Sequence, residues 1–152
     1  MTNEHVEILL VDDCSADIEL TIHVLRENKL GKHIHVVEDG NEALEFVFCR
    51  GAYEGRSSRE QPSLILLDLK LPKVDGLEVL KAIRSDGRTK AIPVVVFTSS
   101  KEQKDLIAGY RLGASAYIQK PVDFEQFRLT IKEIGRFWLV SNQPPPPEVF
   151  AV

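Results

Sequence analysis

Apolar residues follow two alternating patterns along the chain. Short runs of adjacent apolar residues, clearest at 64–67 and 94–97, are typical of strands that are buried on both faces of a parallel sheet. Between such runs, apolar residues recur every three or four positions, which predicts helices with one face packed on the sheet. The strands predicted from this pattern are 6–11, 33–37, 64–68, 93–97 and 115–119.

A helix is predicted after each strand. Ser15 is a candidate N-cap of the first helix, and Gly31, Gly87 and Gly113 mark helix ends. Because strands and helices alternate throughout, we expect an α/β fold with a doubly wound, five-stranded parallel sheet and five helices. The predicted helices span about 15–31, 40–50, 77–86, 102–112 and 123–140.

The stretch 64–69 places four aliphatic residues directly before one carboxylate, that of Asp68. Its length would also suit a buried helical segment, but Pro72 and Gly76 mark a loop just after it and favour a strand. Asp68 is therefore predicted at the carboxyl end of a central strand. Ligands bind at that edge of open α/β sheets.

Other polar side chains are predicted at the same edge. The residues that follow or end the strands there are Asp12, Asp13, Asp68, Thr98 and Lys120. Three carboxylates held close together repel one another unless a cation neutralises them, and such oxygen ligands suit Mg²⁺. A carboxylate can also act as a nucleophile and form an aspartyl phosphate, which an ammonium group and a hydroxyl group would stabilise. The pattern therefore favours phosphoryl transfer.

At these residues the sequence resembles the receiver domain of bacterial two-component response regulators. The spacings of 30 residues from Asp68 to Thr98 and 52 residues from Asp68 to Lys120 fit that family. The resemblance covers residues 5–140 and implies a receiver domain with the flavodoxin-like fold. Residues 141–152 are then predicted to form a proline-rich, extended C-terminal tail.

The resemblance also implies a role for each site residue. Asp68 would be the phosphoacceptor, with Thr98 and Lys120 contacting the phosphoryl group. Thr98 and Tyr117 would be paired switch residues. The implied Mg²⁺ ligands are Asp13, Asp12 through a bound water, Asp68, and the backbone carbonyl of Lys70.

The long loop 51–62, the stretch 68–73 and the tail resemble the small regulators that serve cyanobacterial phytochromes. The implied partner is a sensor histidine kinase, with a phytochrome as the candidate. Only 12 residues follow Val140, so we expect a stand-alone receiver without a DNA-binding output domain. Its output would be a contact made by the receiver itself, or removal of phosphate from the kinase.

Other functions remain open from the residues alone. A phosphatase with an aspartyl nucleophile usually carries a second aspartate two residues on, where this chain has Lys70. A receiver that has lost its chemistry and serves as an interaction module is a further alternative. A flavodoxin-like flavin protein is disfavoured, because Asp12 and Asp13 would repel the flavin phosphate.

Composition narrows the setting without naming the function. The net charge of −4 provides no general attraction to nucleic acid or anionic membranes, and no apolar run is long enough to span a bilayer. The N-terminal residues 1–5 do not predict a signal peptide. Cys14 and Cys49 are the only cysteines, and we expect both to be reduced in a cytoplasmic protein.

The fifth helix predicts a homodimer. Its sheet-facing stripe is predicted to contain Phe124, Phe127, Ile131, Ile134 and Trp138. Leu129, Phe137 and Val140 fall on the opposite side, where three aligned apolar residues suggest an interface. In the tail, Val149, Phe150 and Val152 are predicted to pack across a partner. The alternatives are a tail that folds back over the patch within one monomer, and a kinase contact.

Overall fold

A computed structural model describes residues 5–151, so the predictions for residues 1–4 and for Val152 lie outside the described residues. All strand pairs are parallel, in the order β2-β1-β3-β4-β5, and the predicted doubly wound sheet is confirmed. The strands are β1 Ile8–Val11, β2 Ile34–Val37, β3 Leu64–Leu67, β4 Val94–Thr98 and β5 Ala116–Gln119.

Helices cover both faces of the sheet. One core cluster joins residues of α1 and α5 to the sheet, and a second joins residues of α2 and α3 to its other face. Helix α4 packs beside α3 and β5. The helices are α1 Ser15–Glu27, α2 Gly40–Val47, α3 Gly76–Arg84, α4 Gln103–Arg111 and α5 Phe124–Arg136. In the described part of the chain, no helix is long and apolar enough to cross a membrane.

Aspartate side chains cap three of these helices. Asp39, Asp75 and Asp123 each accept a hydrogen bond from the backbone N–H three residues on, which fixes where α2, α3 and α5 begin. The predicted cap at Ser15 is wrong. Cys14 is the N-cap of α1 and makes no side-chain capping bond, while its N–H donates to Asp12 Oδ1 at 2.9 Å. Helix α1 therefore begins immediately after the acidic pair.

The predicted stripe of α5 packs towards the sheet except at Phe124, and Trp138, in the turn that follows α5, is partly buried against the same core cluster. Phe127, Ile131 and Ile134 are buried against the sheet. Phe124 is 61% exposed instead, because it lies in the first turn, ahead of the buried stretch that begins at Phe127. After α5 the chain continues as a π-helical turn, Phe137–Ser141.

Three apolar residues at this end of the fold remain in solvent. We name the group Leu129, Phe137 and Val140 the α5 patch; their exposed fractions are 48, 52 and 63%.

The end of the tail does not pack as predicted. Phe150 is only 3% exposed and belongs to the core cluster on the α2–α3 face of its own chain. It lies in a 3₁₀ turn, Pro147–Phe150, and together with residues 144–147 it lines a cavity beside residues 59–63. The tail therefore neither covers the α5 patch nor leaves Phe150 for a partner. Burying a phenylalanine side chain stabilises a fold by about 2–3 kcal/mol, which favours this placement over an extended tail.

The long loop 51–62 is ordered by its own contacts. It begins with a 3₁₀ turn, Gly51–Tyr53. The Arg56 guanidinium lies 3.7 Å from the centre of the Phe46 ring and donates to the carbonyl oxygens of Phe46 and Glu60. Buried Gln61 donates to the Val47 carbonyl oxygen at 3.0 Å, so the middle and the end of the loop are tied to α2.

Candidate functional site

The sheet itself positions the site. Parallel hydrogen bonding continues one residue beyond the strands: the N–H of Asp12 donates to the Val37 oxygen at 3.1 Å, and that of Asp68 donates to the Val11 oxygen at 2.9 Å. Both carboxylates are therefore held at the carboxyl edge, where the strand order reverses between β1 and β3. This is the place where open α/β sheets bind ligands.

Lys120 is fixed in the same way from the other side of the pocket. Its N–H donates to the Thr98 oxygen at 2.7 Å, which places the side chain directly after β5. The ammonium group then reaches across the edge and donates to Asp12 Oδ2 at 2.8 Å and to Asp68 Oδ2 at 2.9 Å. All three side chains are buried, with exposed fractions of 7% or less. Such buried charges are tolerable only because each one is paired.

A third carboxylate also reaches Lys120. Asp17 Oδ2, in the first turn of α1, lies 2.9 Å from Lys120 Nζ. The three N–H donors of the ammonium group thus have three carboxylate acceptors. Asp17 is not predicted from the sequence as a site residue, because an acidic residue in the first turn of a helix is common for local reasons.

The acidic side chains form a cluster suited to a divalent cation. One carboxylate oxygen from each of Asp12, Asp13 and Asp68 lies within 4.8 Å of the others. Asp13 is exposed, whereas Asp12 and Asp68 are buried. Hard cations such as Mg²⁺ bind oxygen ligands and retain several waters, and an exposed carboxylate beside two buried ones provides such a half-open site.

Burial and pairing change the ionisation of the two central groups. Burial raises the pKa of Asp12, and hydrogen bonds from Lys120 and from the Cys14 N–H offset only part of that effect. Burial alone would lower the pKa of Lys120, but hydrogen bonds to Asp12 and Asp17 outweigh it and raise that pKa above its usual value. Lys120 therefore stays charged throughout the physiological pH range.

A second layer of polar groups surrounds Thr98. The Thr98 side chain is fully buried, and its Oγ1 accepts a hydrogen bond from the Ser100 N–H at 3.3 Å. The Ser100 hydroxyl donates to Asp105 Oδ2 at 2.6 Å, and that bond holds the pKa of Asp105 below its usual value. Asp105 also lies 3.5 Å from Lys70 Nζ, so the loops after β3 and β4 are linked.

Tyr117 lies on β5 with its hydroxyl group buried, and burial raises the pKa of that hydroxyl. Its ring packs closely against α4 at Gly109. A Cβ atom at Gly109 would lie 3.0 Å from Tyr117 Cδ2, which is tighter than an ordinary contact. The absence of a side chain at Gly109 therefore makes room for the inward position of the Tyr117 ring.

Glycine is also required beside Asp68. A Cβ atom at Gly76 would collide with the carbonyl oxygen of Asp68, and the Gly76 N–H donates to the Leu69 oxygen at 2.9 Å. Helix α3 can therefore begin directly against the loop that follows β3. In that loop the Lys70 N–H donates to Asp68 Oδ1 at 3.3 Å, which helps to orient the carboxylate.

The structure brings most of the sequence-predicted site residues together at one edge. Those that lie there are Asp12, Asp13, Asp68, Lys70, Thr98 and Lys120. Tyr117 lies within β5, opposite Val96 and two residues before the end of the strand. The α5 patch is separate from this pocket and lies on the outer side of α5 and the turn that follows it. Asp17 and Asp105 join the site without having been predicted.

The fold and this edge can be compared with known proteins. The family model of the response regulator receiver domain matches residues 8–132. The chain belongs to the response regulator receiver family. Response regulator Rcp1 of Synechocystis sp. is 39% identical to this receiver over 132 residues, which cover 87% of the chain and 88% of Rcp1.

Two solved structures are similar over nearly their whole length. The phosphorylated cyanobacterial phytochrome response regulator RcpA is 39% identical with a TM-score of 0.86, covering 93% of this receiver and 99% of RcpA. The Mn²⁺-bound form of Rcp1 is 38% identical with a TM-score of 0.85, covering 91% and 97% of the two chains. The resemblance to receivers, including those associated with phytochromes, is thereby confirmed. Receivers are signalling modules, and RcpA, to which this one is similar, is described as a phytochrome response regulator.

Proposed function

We propose that this receiver accepts a phosphoryl group from a histidine kinase on Asp68. A carboxylate oxygen of Asp68 forms a bond to phosphorus, while the bond from phosphorus to the donor breaks and its electron pair leaves with the donor. The observation that carries the proposal is the Lys120 ammonium group, which lies within 2.9 Å of both Asp12 and Asp68 at the edge of the acidic cluster. It supplies a fixed positive charge where phosphoryl oxygens would lie.

Mg²⁺ is the proposed cofactor, and the donor set fits it. Asp13, Asp68 and the backbone carbonyl of Lys70 would be direct ligands. Asp12 would act through a bound water, as the resemblance to the receiver family implies. When bound, the cation would neutralise the carboxylates and the incoming phosphoryl charge. The Mn²⁺-bound form of Rcp1 supports a divalent site in this family.

Labelling with a small phosphodonor tests this proposal. Acetyl phosphate should label the protein in the presence of Mg²⁺, and EDTA should prevent the labelling. Asp68→Asn should carry no label, because the amide is not a nucleophile of this kind. Asp123→Asn is a matched control, since asparagine can still cap α5 and the residue lies outside the acidic cluster.

The outcomes separate the alternatives. A label retained in Asp68→Asn would show that another residue is the phosphoacceptor. A parent protein that takes up no phosphate from acetyl phosphate or from any kinase would instead favour an interaction module without chemistry. Sustained release of phosphate from many small phosphate esters would favour the phosphatase alternative.

The proposed donor is a sensor histidine kinase of the phytochrome type. The support is the similarity to RcpA, whose name describes it as a phytochrome response regulator. Phosphotransfer from a panel of purified histidine kinases tests the choice of partner. A phytochrome kinase should transfer phosphate at least tenfold faster than the others, and equal rates across the panel would contradict this partner.

Thr98 and Tyr117 form the proposed switch. A phosphoryl group on Asp68 should draw the Thr98 hydroxyl towards it and away from the Ser100 N–H. The Tyr117 ring, which already lies inward against Gly109, would then be held there. Beryllofluoride, which mimics an aspartyl phosphate, should therefore shift amide signals along α4, β5 and α5. Shifts confined to the acidic cluster would contradict the coupling.

A homodimer through the α5 patch completes the proposal. The patch presents three exposed apolar side chains and is not covered by the tail. Sedimentation at micromolar concentration should show a dimer, and Phe137→Glu should give a monomer that still accepts phosphate. Val149→Glu tests the tail separately, because Val149 is exposed and apolar but lies outside the patch; a monomer in this variant would show that the tail also packs across the partner. A parent protein that is monomeric with and without beryllofluoride would exclude the dimer.

A further inference from the structure

Asp17 has no role in the chemistry proposed above, although it makes one of the three bonds to Lys120. It lies in the first turn of α1, and its side chain is 28% exposed, compared with 5% and 7% for Asp12 and Asp68. Among the described residues, the cluster suited to a cation contains Asp12, Asp13 and Asp68 but not Asp17. Asp17 is therefore a partner of Lys120 alone.

We propose that Asp17 competes with the phosphoryl group for Lys120 and so favours the unphosphorylated form of the receiver. This inference rests on Asp68 being the phosphoacceptor. An ammonium group has three N–H donors, and here each one points to a different carboxylate. A phosphoryl oxygen can gain a full bond from Lys120 only by displacing one of those acceptors.

The charges act in the same direction as the hydrogen bonds. Three carboxylates contact the ammonium group, namely those of Asp12, Asp17 and Asp68, and an oxygen of Asp13 lies within 4.8 Å of oxygens of Asp12 and Asp68. Phosphorylation of Asp68 replaces its single negative charge with a phosphoryl group that carries more. Asp17 repels that added charge across the pocket, and no cation ligand role compensates for it. Removing the charge of Asp17 should therefore favour the phosphorylated form.

The position of Asp17 allows this competition to be reversible. Asp12 and Asp68 are enclosed at the edge of the sheet, whereas the partly exposed Asp17 can turn its carboxylate into water when Lys120 leaves it. Asp17 thus acts through Lys120 as a positioning residue and does not touch the reacting atoms.

Asp17→Asn is the appropriate variant, because asparagine keeps the shape and one acceptor oxygen while removing the charge. The probe is beryllofluoride at saturating Mg²⁺, with the affinity measured by calorimetry. We expect the variant to bind beryllofluoride about threefold to tenfold more tightly, the range expected for a partly exposed charge. Mg²⁺ affinity without beryllofluoride should change less than twofold, since Asp17 lies outside the cation cluster.

Two further variants serve as controls. Glu19→Gln removes the same charge from an exposed position on the same helix and should leave the beryllofluoride affinity unchanged. Asp17→Glu restores the charge and should return the affinity towards that of the parent. If Asp17→Asn is too unstable for calorimetry, Asp17→Ser removes the charge with a smaller side chain and should show the same direction of change.

The outcomes distinguish this inference from the proposed function. A purely structural ion pair would lower the melting temperature of Asp17→Asn without changing the ratio of beryllofluoride to Mg²⁺ affinity, and that result would overturn the competition. Equal tightening in Glu19→Gln, or weaker beryllofluoride binding in Asp17→Asn, would overturn it as well. A parent protein that binds neither beryllofluoride nor phosphate would contradict the role of Asp68 itself.

Discussion

Two cationic side chains of this receiver are held by different kinds of hydrogen-bond acceptor. Lys120 donates only to carboxylates, and these raise its pKa in spite of burial. Arg84, at the end of α3, donates to the carbonyl oxygens of Gly113 and Ile92 at 2.7 Å each and to that of Lys90 at 3.0 Å. Because these acceptors are neutral, burial lowers the pKa of Arg84.

The difference shows how a buried charge can be structural or functional. The carbonyl acceptors of Arg84 belong to the loop before β4 and the loop before β5, so Arg84 ties two loops to the end of α3. By contrast, the carboxylate acceptors of Lys120 can bind a metal ion, and a phosphoryl oxygen can replace one of them as the acceptor of a hydrogen bond from Lys120. The chemical nature of the acceptors, and not the depth of burial, therefore decides which cation can take part in a reaction.

The largest expected effect is on stability, and it is expected from substitution of Arg84. Arg84→Met should lower the free energy of unfolding by about 3 kcal/mol, because it leaves several partly buried carbonyl oxygens without donors. Chemical denaturation measures this loss, and the folded variant should still be labelled by acetyl phosphate. Loss of labelling in the folded variant would show that the two cations are not independent.

For Lys120, the loss of stability on substitution should depend on pH. Lys120→Met should lower the free energy of unfolding by about 2 kcal/mol at neutral pH, since it leaves buried carboxylates unpaired. The pKa of Asp12 is already raised by burial, and loss of Lys120 should raise it further. The folded variant then takes up a proton at a higher pH than the unfolded chain, so acidification stabilises it relative to the parent.

The loss in Lys120→Met should therefore shrink between pH 7.5 and pH 4.5, whereas the loss in Arg84→Met should stay constant. Denaturation curves at both pH values, recorded without divalent cations, test this contrast. A loss in Lys120→Met that is independent of pH would contradict the argument. Calorimetry should also show that Lys120→Met retains most of its Mg²⁺ affinity.

A smaller effect is expected at the exposed member of the acidic cluster. Asp13→Ala should weaken Mg²⁺ binding by about tenfold, which corresponds to about 1.4 kcal/mol, and phosphorylation should weaken with it. Because Asp13 is exposed, the free energy of unfolding without Mg²⁺ should hardly change. Calorimetric titration of Mg²⁺ measures the affinity, and equal values for Asp13→Ala and the parent would exclude Asp13 as a direct ligand.

The smallest effect is expected at Asp105, whose carboxylate is held mainly by a hydrogen bond from the neutral Ser100 hydroxyl. Asp105→Asn should lower the free energy of unfolding by about 1 kcal/mol at pH 7, because the bond from the Ser100 hydroxyl weakens. The pKa of Asp105 is depressed when folded, so its contribution is present above the ordinary value of 3.8 and is lost as pH falls through the folded value. Parent and variant should therefore converge in stability as the pH falls below 3.8, and a constant difference would contradict this assignment.

The sequence allows the main site to be predicted because each strand ends in a recognisable way. The apolar run before Asp68 and the short strand before Lys120 set their positions at one edge, although 52 residues separate them. The fold class follows from the same alternation. What these residues have in common is that the strand before each one determines where its side chain lies.

Other residues leave no such local signal. Asp17 meets a partner 103 positions away, and on α1 it is indistinguishable from any first-turn acid. Arg84 in the last turn of α3 is typical of a solvated helix end, because backbone carbonyl acceptors have no sequence signature. Phe150 follows a run of prolines, and the pattern contains no information on which face of the sheet receives it.

The proline run before Phe150 has a mechanical consequence. Residues 144–147 are consecutive prolines, and such a segment is stiff rather than flexible. This proline segment is connected to α5 through the π-helical turn. Beyond its other end, Phe150 is buried in the α2–α3 layer. A displacement at the end of α5 is therefore transmitted to the opposite layer, so movements of the α1–α5 layer and the α2–α3 layer are mechanically coupled.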